Sequence, residues 1–325
     1  MPDPGTAMHD QPIRILLAGE GAIAGIHMTA LQEISGAEVV CVAGGVAADT
    51  AAFAAQWGIP EHSLDYATCL ARDDIDAVIL ASPSALHAAQ ASAAIVAGKH
   101  VLAEIPMSLN LADAERLGAE AAASDRVCMV AHTRRFSAPH LELKRRIAAG
   151  EFHLQHLVAE TWFLRRDNRN MFGQPRSWTD CLLWHHACHS VDLFAWLLDD
   201  FELDVWGSAG PRHPELGIPM DMNIGLRARN GAMATLVLSF NNRGPFGGHY
   251  RYIGEEATLH AYRDELKDHD GLLQSVPAGS GFARQDGEFL AAIREGRTPE
   301  SSFAACLPSM RLLERIDRAM GLTRR

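Results

Sequence analysis

The N-terminal third of the chain alternates short apolar runs with longer segments that carry apolar residues at helical spacing. Continuous apolar runs at 13–18, 39–42, 77–80 and 101–104 are typical of strands that are buried on both faces of a parallel sheet. The segments that follow are rich in alanine, and three of them end near positions 57, 97 and 123. This alternation predicts an α/β domain with a doubly wound parallel sheet over residues 1–126.

The alternation stops after a last apolar run at 127–131. A helix is predicted at 139–149, ending at Gly150, and the strand-like runs that follow are separated by Gly, Pro, Asn or acidic residues. These runs lie at 156–164, 203–209, 222–229, 232–240, 250–253 and 258–262, and 264–281 has the composition of a loop. Short turns such as Asn230-Gly231 join antiparallel neighbours. Residues 127–325 are therefore predicted to form an α+β domain with a large, mostly antiparallel open sheet.

Length and composition fit two globular domains. The 325 residues are 48% hydrophobic, and the formal charge of -11 argues against a general affinity for nucleic acid or anionic membranes. The six cysteines form no CxxC pair, and neither an apolar leader nor an apolar span of membrane length is evident. We therefore expect a cytoplasmic protein whose partner is a small molecule, with no nucleic acid and no membrane bound.

The first apolar run leads directly into the sequence Gly-Glu-Gly-Ala-Ile-Ala and then into an apolar helix. In this strand-turn-helix setting, GxGxxA is typical of dinucleotide binding: Gly19 makes the tight turn and Gly21 lets the backbone approach a pyrophosphate. Ala22 and Ile23 then open the helix whose N-terminus faces the phosphates. The alternative is a glycine turn that only packs.

The end of the second strand usually distinguishes the two nicotinamide dinucleotides. An acidic residue there binds the ribose 2′-hydroxyl of NAD, whereas a basic residue accommodates the 2′-phosphate of NADP. Residues 41–46 read Cys-Val-Ala-Gly-Gly-Val and offer neither. Because the acidic residue is missing, the sequence favours NADP, and NAD remains possible.

Residues 176–193 concentrate histidines and aspartates in a predicted helix. At about 100° per residue, His185, His189 and Asp192 lie on one face, and Trp184 belongs to a separate apolar stripe. A histidine one turn from a carboxylate is suited to proton transfer near neutral pH. We predict His189 as the general base, His185 as a proton relay or substrate contact, and Asp192 as the group that orients His189. The alternative is a solvated polar stripe.

Arginines are concentrated ahead of this helix and at its start, among them Arg134, Arg135, Arg165, Arg166, Arg169 and Arg176. Guanidinium groups match carboxylates in a two-point geometry, so this concentration in an acidic protein predicts an anionic substrate. We expect Arg135, Arg166 and Arg176 to contact it, with Arg134 and Trp184 as further contacts.

Further motifs carry a family resemblance that extends over nearly the whole chain. They are Ser82-Pro83-Ser84 with His87, Gly98-Lys99-His100-Val101 leading to Glu104-Ile105-Pro106, Arg135-Phe136, and His189 with Asp192. With the glycine-rich turn, this order resembles the glucose-fructose oxidoreductase, inositol dehydrogenase and MocA family. The resemblance implies that Ser82, Pro83, His87, Glu104 and Pro106 lie at the cofactor, and that the C-terminal sheet builds a homodimer or homotetramer.

Two departures from the family pattern bear on the reaction. Ile105 stands where the family usually has a lysine, and His185 stands where it usually has an aspartate. The runs HTRRF at 132–136 and LLWHH at 182–186 resemble a subgroup whose members oxidise the cyclic hemiacetal of a dicarboxylate to a lactone in aromatic degradation. We therefore predict an NAD(P)-dependent dehydrogenase of that kind.

Two other functions remain open at this point. A sugar or cyclitol dehydrogenase of the same family is one, although arginines suit it poorly. A non-catalytic dinucleotide sensor is the other, motivated by Ile105. His185, His189 and Asp192 also have the spacing of a helical metal site. We predict no metal, because the chemistry that the resemblance implies does not need one.

Overall fold

The structure is a computed structural model that describes residues 11–169, 174–176 and 178–322. The chain divides into two compact units. The first contains residues up to Ala131 together with Phe282–Leu307, and the second contains His132–Gly281 and the residues from Pro308 onward.

The first unit is built on a six-stranded parallel sheet, which confirms the predicted fold class. Its strands lie in the order β3-β2-β1-β4-β5-β6. They are β1 (Ile13–Ala18), β2 (Ala37–Ala43), β3 (Glu61–Ser63), β4 (Ala77–Leu80), β5 (His100–Ala103) and β6 (Cys128–Val130). The helices between them are α1 (Ala22–Gln32), α2 (Ala47–Trp57), α3 (Tyr66–Leu70), α4 (Ser84–Val96) and α5 (Leu111–Ala122).

The strand order of this sheet reverses beside β1. The chain moves outward through β2 and β3, then returns to place β4 on the other side of β1. Ligands of open α/β sheets bind beyond the carboxyl ends of the strands at such a reversal. Strand β4 is buried along its whole length, which explains its continuous apolar run.

A segment from the end of the chain completes the first unit, which differs from the predicted boundary. The sequence analysis placed all of 127–325 in the second domain, whereas α9 (Gly281–Glu295) makes its contacts with the first unit. Asp286 Oδ2 lies 2.8 Å from His27 Nδ1, and Arg294 Nη2 donates to the Gly36 carbonyl at 2.6 Å. These partners are more than 250 positions apart in the chain. Local periodicity carries no information about such a contact.

The second unit is an α+β structure around a seven-stranded sheet, as predicted. The sheet order is β13-β12-β11-β7-β10-β9-β8, in which β7 and β10 are parallel and the other pairs antiparallel. The strands are β7 (Leu154–Trp162), β8 (Asp204–Ala209), β9 (Asp221–Arg227), β10 (Met233–Ser239), β11 (Gly247–Gly254), β12 (Thr258–Tyr262) and β13 (Glu265–Lys267). The helices include α6 (Thr133–Phe136), α7 (Ala138–Ala148), α8 (Cys188–Leu198) and the part of α10 (Phe303–Met320) that begins at Pro308. Strand β13 lies inside the segment predicted as a loop.

The histidine-rich helix is not one continuous α-helix. Residues Leu182–Ala187 form a π-helix, and α8 begins at Cys188. The predicted separation of a polar face from an apolar face is wrong, because Asp192 and Val191 are both 0% exposed. The sequence analysis assumed a helix packed on one side only, whereas α8 is buried nearly all round.

Within the described residues, no helix is both long and apolar enough to cross a membrane. All six cysteines are free thiols.

Candidate active site

The glycine-rich turn between β1 and α1 has the geometry that a dinucleotide needs. Gly19 has φ +114°, and a Cβ there would lie 2.4 Å from the Ala81 carbonyl oxygen. Gly21 is the N-cap of α1 and makes no side-chain capping bond, and a Cβ there would meet no atom within 4 Å. The amides at the start of α1, from Ala22 and Ile23 onward, are thus open to an anion such as a pyrophosphate. The turn therefore fits the cofactor that the sequence predicts.

His87 connects the segments that follow β4 and β5. Its ring nitrogens lie 2.8 Å from the Ser82 and Pro106 carbonyl oxygens, and its side chain is buried. Pro83 is the N-cap of α4, which carries His87 on its second turn. His87 therefore positions two segments that the sequence analysis assigned to the cofactor.

Glu104 belongs to a buried charge cluster within the first unit. Its Oε1 lies 3.1 Å from His27 Nε2, and its Oε2 accepts a hydrogen bond from the Ile105 amide. Burial opposes a charge on His27, but the carboxylates of Asp286 and Glu104 outweigh it and raise its pKa to about 10. A protonated His27 thus holds Glu104 in place at the end of β5.

The second unit contains a cavity of about 280 Å³ lined by histidines, an arginine and aromatic rings. Its walls come from α6, β7, the π-helix, α8 and β11. They consist of Arg134, Thr161, Phe163, His185, His186, His189, Gly247, Gly248 and Tyr250. The cavity therefore brings together both predicted catalytic histidines and one of the predicted arginines. Its volume is near the lower end of the range for small-molecule sites.

His189 is a neutral imidazole at this cavity. Burial lowers its pKa well below the usual range, and Arg134, His132 and His186 lower it further, whereas Asp192 acts in the opposite direction. Its Nδ1 is buried and has no hydrogen-bond partner among the described residues. A neutral imidazole can accept a proton, as a general base must.

Arg134 supplies positive charge to the same cavity. Its guanidinium carbon lies 5.4 Å from the centroid of the Tyr250 ring, and a Cβ on Gly248 would lie 3.4 Å from its Nη2. The guanidinium forms no ion pair with any residue that the structure describes. A cation held over a ring and lacking a carboxylate partner is suited to bind an anionic ligand.

Arg135 and Asp192 do not have the roles that the sequence analysis gave them. Arg135 donates from Nε and Nη2 to the two Asp192 oxygens at 2.8 and 2.6 Å, and Ser309 donates to Asp192 at 2.6 Å. Arg135 is 3% exposed and Asp192 is fully buried. Arg135 is therefore not placed to contact substrate. The Asp192 carboxylate forms no hydrogen bond with His189 and so does not orient it.

A second aspartate orients a histidine instead. Asp180 lies 3.2 Å from His186 Nε2 and accepts hydrogen bonds from Arg165 and Arg176, each at 2.8 Å. Burial opposes its charge, but His186, Arg176 and His185 lower the Asp180 pKa. Arg176, predicted to bind substrate, is thus paired with Asp180 and also stacks on Trp178, 4.7 Å from the ring centroid.

The remaining predicted contacts are divided between the cavity and its surroundings. His185 lines the cavity, and its Nδ1 accepts a hydrogen bond from the Cys181 amide at 3.0 Å. Arg166 is exposed and donates to Asn241 Oδ1 at 2.9 Å. Trp184 is not among the residues of the cavity; it is buried and donates to Asp317 at 3.0 Å. Trp184 therefore has a packing role.

Sequence reasoning missed several residues of this site. Asp180 and His186 both lie within the histidine-rich segment 176–193, but the helical projection paired a different aspartate, Asp192, with His189. The aromatic residues Phe163, just after β7, and Tyr250, within β11, belong to segments that carried no motif. A cation facing Tyr250 is a tertiary contact with no local signal.

Models of known protein families match the sequence of each unit. Residues 13–132 match the model of the oxidoreductase family with an NAD-binding Rossmann fold, and residues 138–276 match the C-terminal model of bacterial oxidoreductases. The chain belongs to the glucose-fructose oxidoreductase, inositol dehydrogenase and MocA family, and it is an oxidoreductase that acts as a dehydrogenase.

Among its relatives is 4-carboxy-2-hydroxymuconate-6-semialdehyde dehydrogenase from Sphingobium sp. (strain NBRC 103272 / SYK-6). The two are 45% identical over 309 residues, which cover 94% of this chain and 98% of the relative. An inositol 2-dehydrogenase/D-chiro-inositol 3-dehydrogenase from Shouchella clausii is 32% identical over 58% of this chain and 54% of its own length.

Solved structures share the fold at low identity. A 3-ketoreductase from Actinomadura kijaniata, in complex with NADP, aligns with TM-score 0.83 and 22% identity over 95% of this chain and 98% of its own. A scyllo-inositol dehydrogenase from Lactobacillus casei, with bound NAD(H), aligns with TM-score 0.79 and 19% identity over 96% of this chain and 98% of its own. Structural neighbours therefore include proteins that bind either dinucleotide.

Proposed function

We propose that the chain oxidises the cyclic hemiacetal of 4-carboxy-2-hydroxymuconate-6-semialdehyde to 2-pyrone-4,6-dicarboxylate, in the degradation of aromatic compounds through protocatechuate 4,5-cleavage. The observation that carries this proposal is the cavity in which Arg134, without a carboxylate partner among the described residues, lies with His185, His186 and His189. The 45% identity to the Sphingobium dehydrogenase over almost the full length supports it.

The reaction removes a proton and a hydride from one C–OH group. His189 is the proposed base, because its lowered pKa keeps it neutral at physiological pH and its ring faces the cavity. It takes the hydroxyl proton as the carbon–oxygen double bond of the lactone forms. The nicotinamide, when bound, accepts the hydride. A positioned histidine typically contributes about 10² to 10⁴ in rate.

Arg134 is the proposed partner of a substrate carboxylate. A dianion entering a cavity of about 280 Å³ loses much of its hydration and needs a charge-assisted contact in exchange. Asp180 accepts hydrogen bonds from both Arg165 and Arg176, so these two arginines are held beside His186 by the same carboxylate. The cavity thus combines a neutral base with a guanidinium that has no carboxylate partner among the residues the structure describes.

The proposal is tested by incubating the purified protein with the ring-cleavage product of protocatechuate 4,5-dioxygenation and NAD⁺ or NADP⁺. Reduced cofactor is followed by absorbance, and 2-pyrone-4,6-dicarboxylate is identified by chromatography. We expect both products in equal amounts. His189→Asn serves as the impaired variant, and His153→Asn, an exposed histidine of the same unit, is the matched control.

Two outcomes would overturn the proposal. Reduction of the cofactor with myo-inositol, but not with the semialdehyde, would indicate a cyclitol dehydrogenase. Cofactor binding without turnover of either compound would instead indicate a dinucleotide sensor, as the isoleucine at 105 suggested.

A further inference from the structure

Glu20, the middle residue of the glycine-rich turn, reaches the loop between β2 and α2. Its Oε1 accepts hydrogen bonds from the Gly45 amide at 2.8 Å and the Val46 amide at 3.0 Å. It also lies 3.5 Å from the Thr50 hydroxyl, which donates to the Val46 carbonyl. The carboxylate thus occupies the N-terminus of α2, which has no capping side chain of its own. An anion is favourable there because of the helix dipole and the free amides.

The space at the end of β2 is filled by the same side chain. A Cβ on Gly44 would lie 2.1 Å from Thr50 Oγ1 and 2.9 Å from Glu20 Cδ. A dinucleotide-binding protein usually carries its ribose-binding acid at this end of the second strand. Here that position is Gly44, which has no side chain, and the carboxylate of Glu20 from the first βα turn lies there instead.

The segment that forms the end of β2 and the N-terminus of α2 carries no lysine or arginine to balance a second anion. The sequence contains neither lysine nor arginine between Cys41 and Ala71, a stretch that includes all of α2, β3 and α3. Glu20 Oε2 forms no hydrogen bond with any residue in the described part of the chain, and so one oxygen is left to accept from a ligand. The two amides that would otherwise receive a phosphate already donate to Oε1.

We propose that Glu20 selects NAD over NADP. Its carboxylate accepts a hydrogen bond from the 2′-hydroxyl of the adenosine ribose, and it excludes a 2′-phosphate by charge and by occupying the Gly45 and Val46 amides. This inference changes the preference that residues 41–46 alone favoured. It rests on dinucleotide binding by the first unit and does not depend on the substrate proposed above.

The experiment measures binding to the full-length protein by calorimetry, without substrate. The ligands are NAD⁺, NADP⁺, AMP and adenosine 2′,5′-bisphosphate, the last two of which report on the adenosine end only. We expect NAD⁺ to bind at least tenfold more tightly than NADP⁺, and AMP more tightly than the bisphosphate. In Glu20→Gln, which keeps an acceptor oxygen and the side-chain size, the NAD⁺ to NADP⁺ ratio should fall at least fivefold.

A control and a second variant separate this role from a structural one. The control is Asp49→Asn, which removes one negative charge from the exposed first turn of α2. The Asp49 side chain makes no hydrogen bond with a described residue, so this variant should keep the ratio of NAD⁺ to NADP⁺ affinity within twofold of the unmodified protein. Adding Val46→Arg to Glu20→Gln places a cation at a side chain that is 55% exposed and should make NADP⁺ the tighter ligand.

Equal or tighter NADP⁺ binding by the unmodified protein, or an unchanged ratio in Glu20→Gln with a normal melting temperature, would overturn the proposal. If the protein failed to oxidise the semialdehyde, the proposed function would be wrong, but the ratio of NAD⁺ to NADP⁺ affinity would still test the role of Glu20.

Discussion

Arg135 holds Asp192 through two parallel hydrogen bonds, Nε to Oδ2 at 2.8 Å and Nη2 to Oδ1 at 2.6 Å, in an interior where neither side chain is more than 3% exposed. The neighbouring Arg134, one position earlier, is partly exposed at the cavity. Two adjacent arginines therefore have different roles. One neutralises a buried carboxylate of α8, and the other is available to a ligand.

Arg135→Met should destabilise the fold rather than weaken substrate binding. Removing one partner of a buried ion pair leaves the Asp192 charge uncompensated, which typically costs about 3 to 5 kcal/mol of unfolding free energy. Urea unfolding followed by circular dichroism measures this loss. Arg169→Met, at an exposed side chain, should change stability by less than about 0.5 kcal/mol. A stable Arg135→Met variant with an increased KM would show that Arg135 binds substrate after all.

Arg134→Met should instead raise KM for the dicarboxylate substrate. A charge-assisted contact contributes about 1.5 to 3 kcal/mol, so we expect an increase of roughly 10- to 100-fold. The exposed Arg166, which the sequence analysis also assigned to substrate, gives a direct comparison in the same assay. An unchanged KM for Arg134→Met would remove this arginine from the binding site.

His189→Asn should lower kcat at least tenfold while leaving the dissociation constant of the dinucleotide nearly unchanged, because only proton transfer is lost. Since the pKa of His189 lies well below its usual range, the kcat of the unmodified enzyme should not decline through protonation of His189 between pH 8 and pH 6.5. Stopped-flow kinetics and fluorescence titration measure the two quantities. If His189→Asn kept full turnover, His185 or His186 would have to be the base.

The His27 cluster predicts a loss of stability at alkaline pH. Because the folded pKa is about 10 and the ordinary value is 6.5, the stabilisation is complete below about pH 6.5 and declines as pH rises toward 10. The slope cannot exceed about 1.4 kcal/mol per pH unit for one proton. Unfolding free energies between pH 6 and 10 test this, and Asp286→Asn should flatten the slope. A pH-independent stability over this interval in the unmodified protein would contradict a protonated His27.

Much of the fold could be predicted from local patterns. Continuous apolar runs marked β1 and β4 correctly because strands of a parallel sheet are buried on both faces. The glycine-rich turn was recognisable because only glycine tolerates the backbone angle at position 19 and the close approach of the Ala81 carbonyl. The return of α9 to the first unit was not predictable, since it depends on contacts such as His27 with Asp286 across 259 positions.

The site was predicted less completely, and the reason lies in the pairing of charges. An ideal helical projection matched Asp192 to His189, but an arginine from α6 reaches that carboxylate instead. Asp180 and His186, six positions apart, meet across the start of the π-helix, at a separation that α-helical spacing does not represent.

The sequence by itself determined the chemistry available to this protein: a turn that admits a pyrophosphate, a concentration of histidines and arginines, and two units of different architecture. These are local properties, fixed by backbone freedom, hydrophobic period and residue type. Only the tertiary structure decided how each charge is used. Coulombic pairing depends on distance in space, and burial determines which charges must be neutralised. Arg135 is therefore buried against Asp192, whereas Arg134 is available to a ligand. Glu20 lies at the end of β2, a strand that carries no acid of its own there.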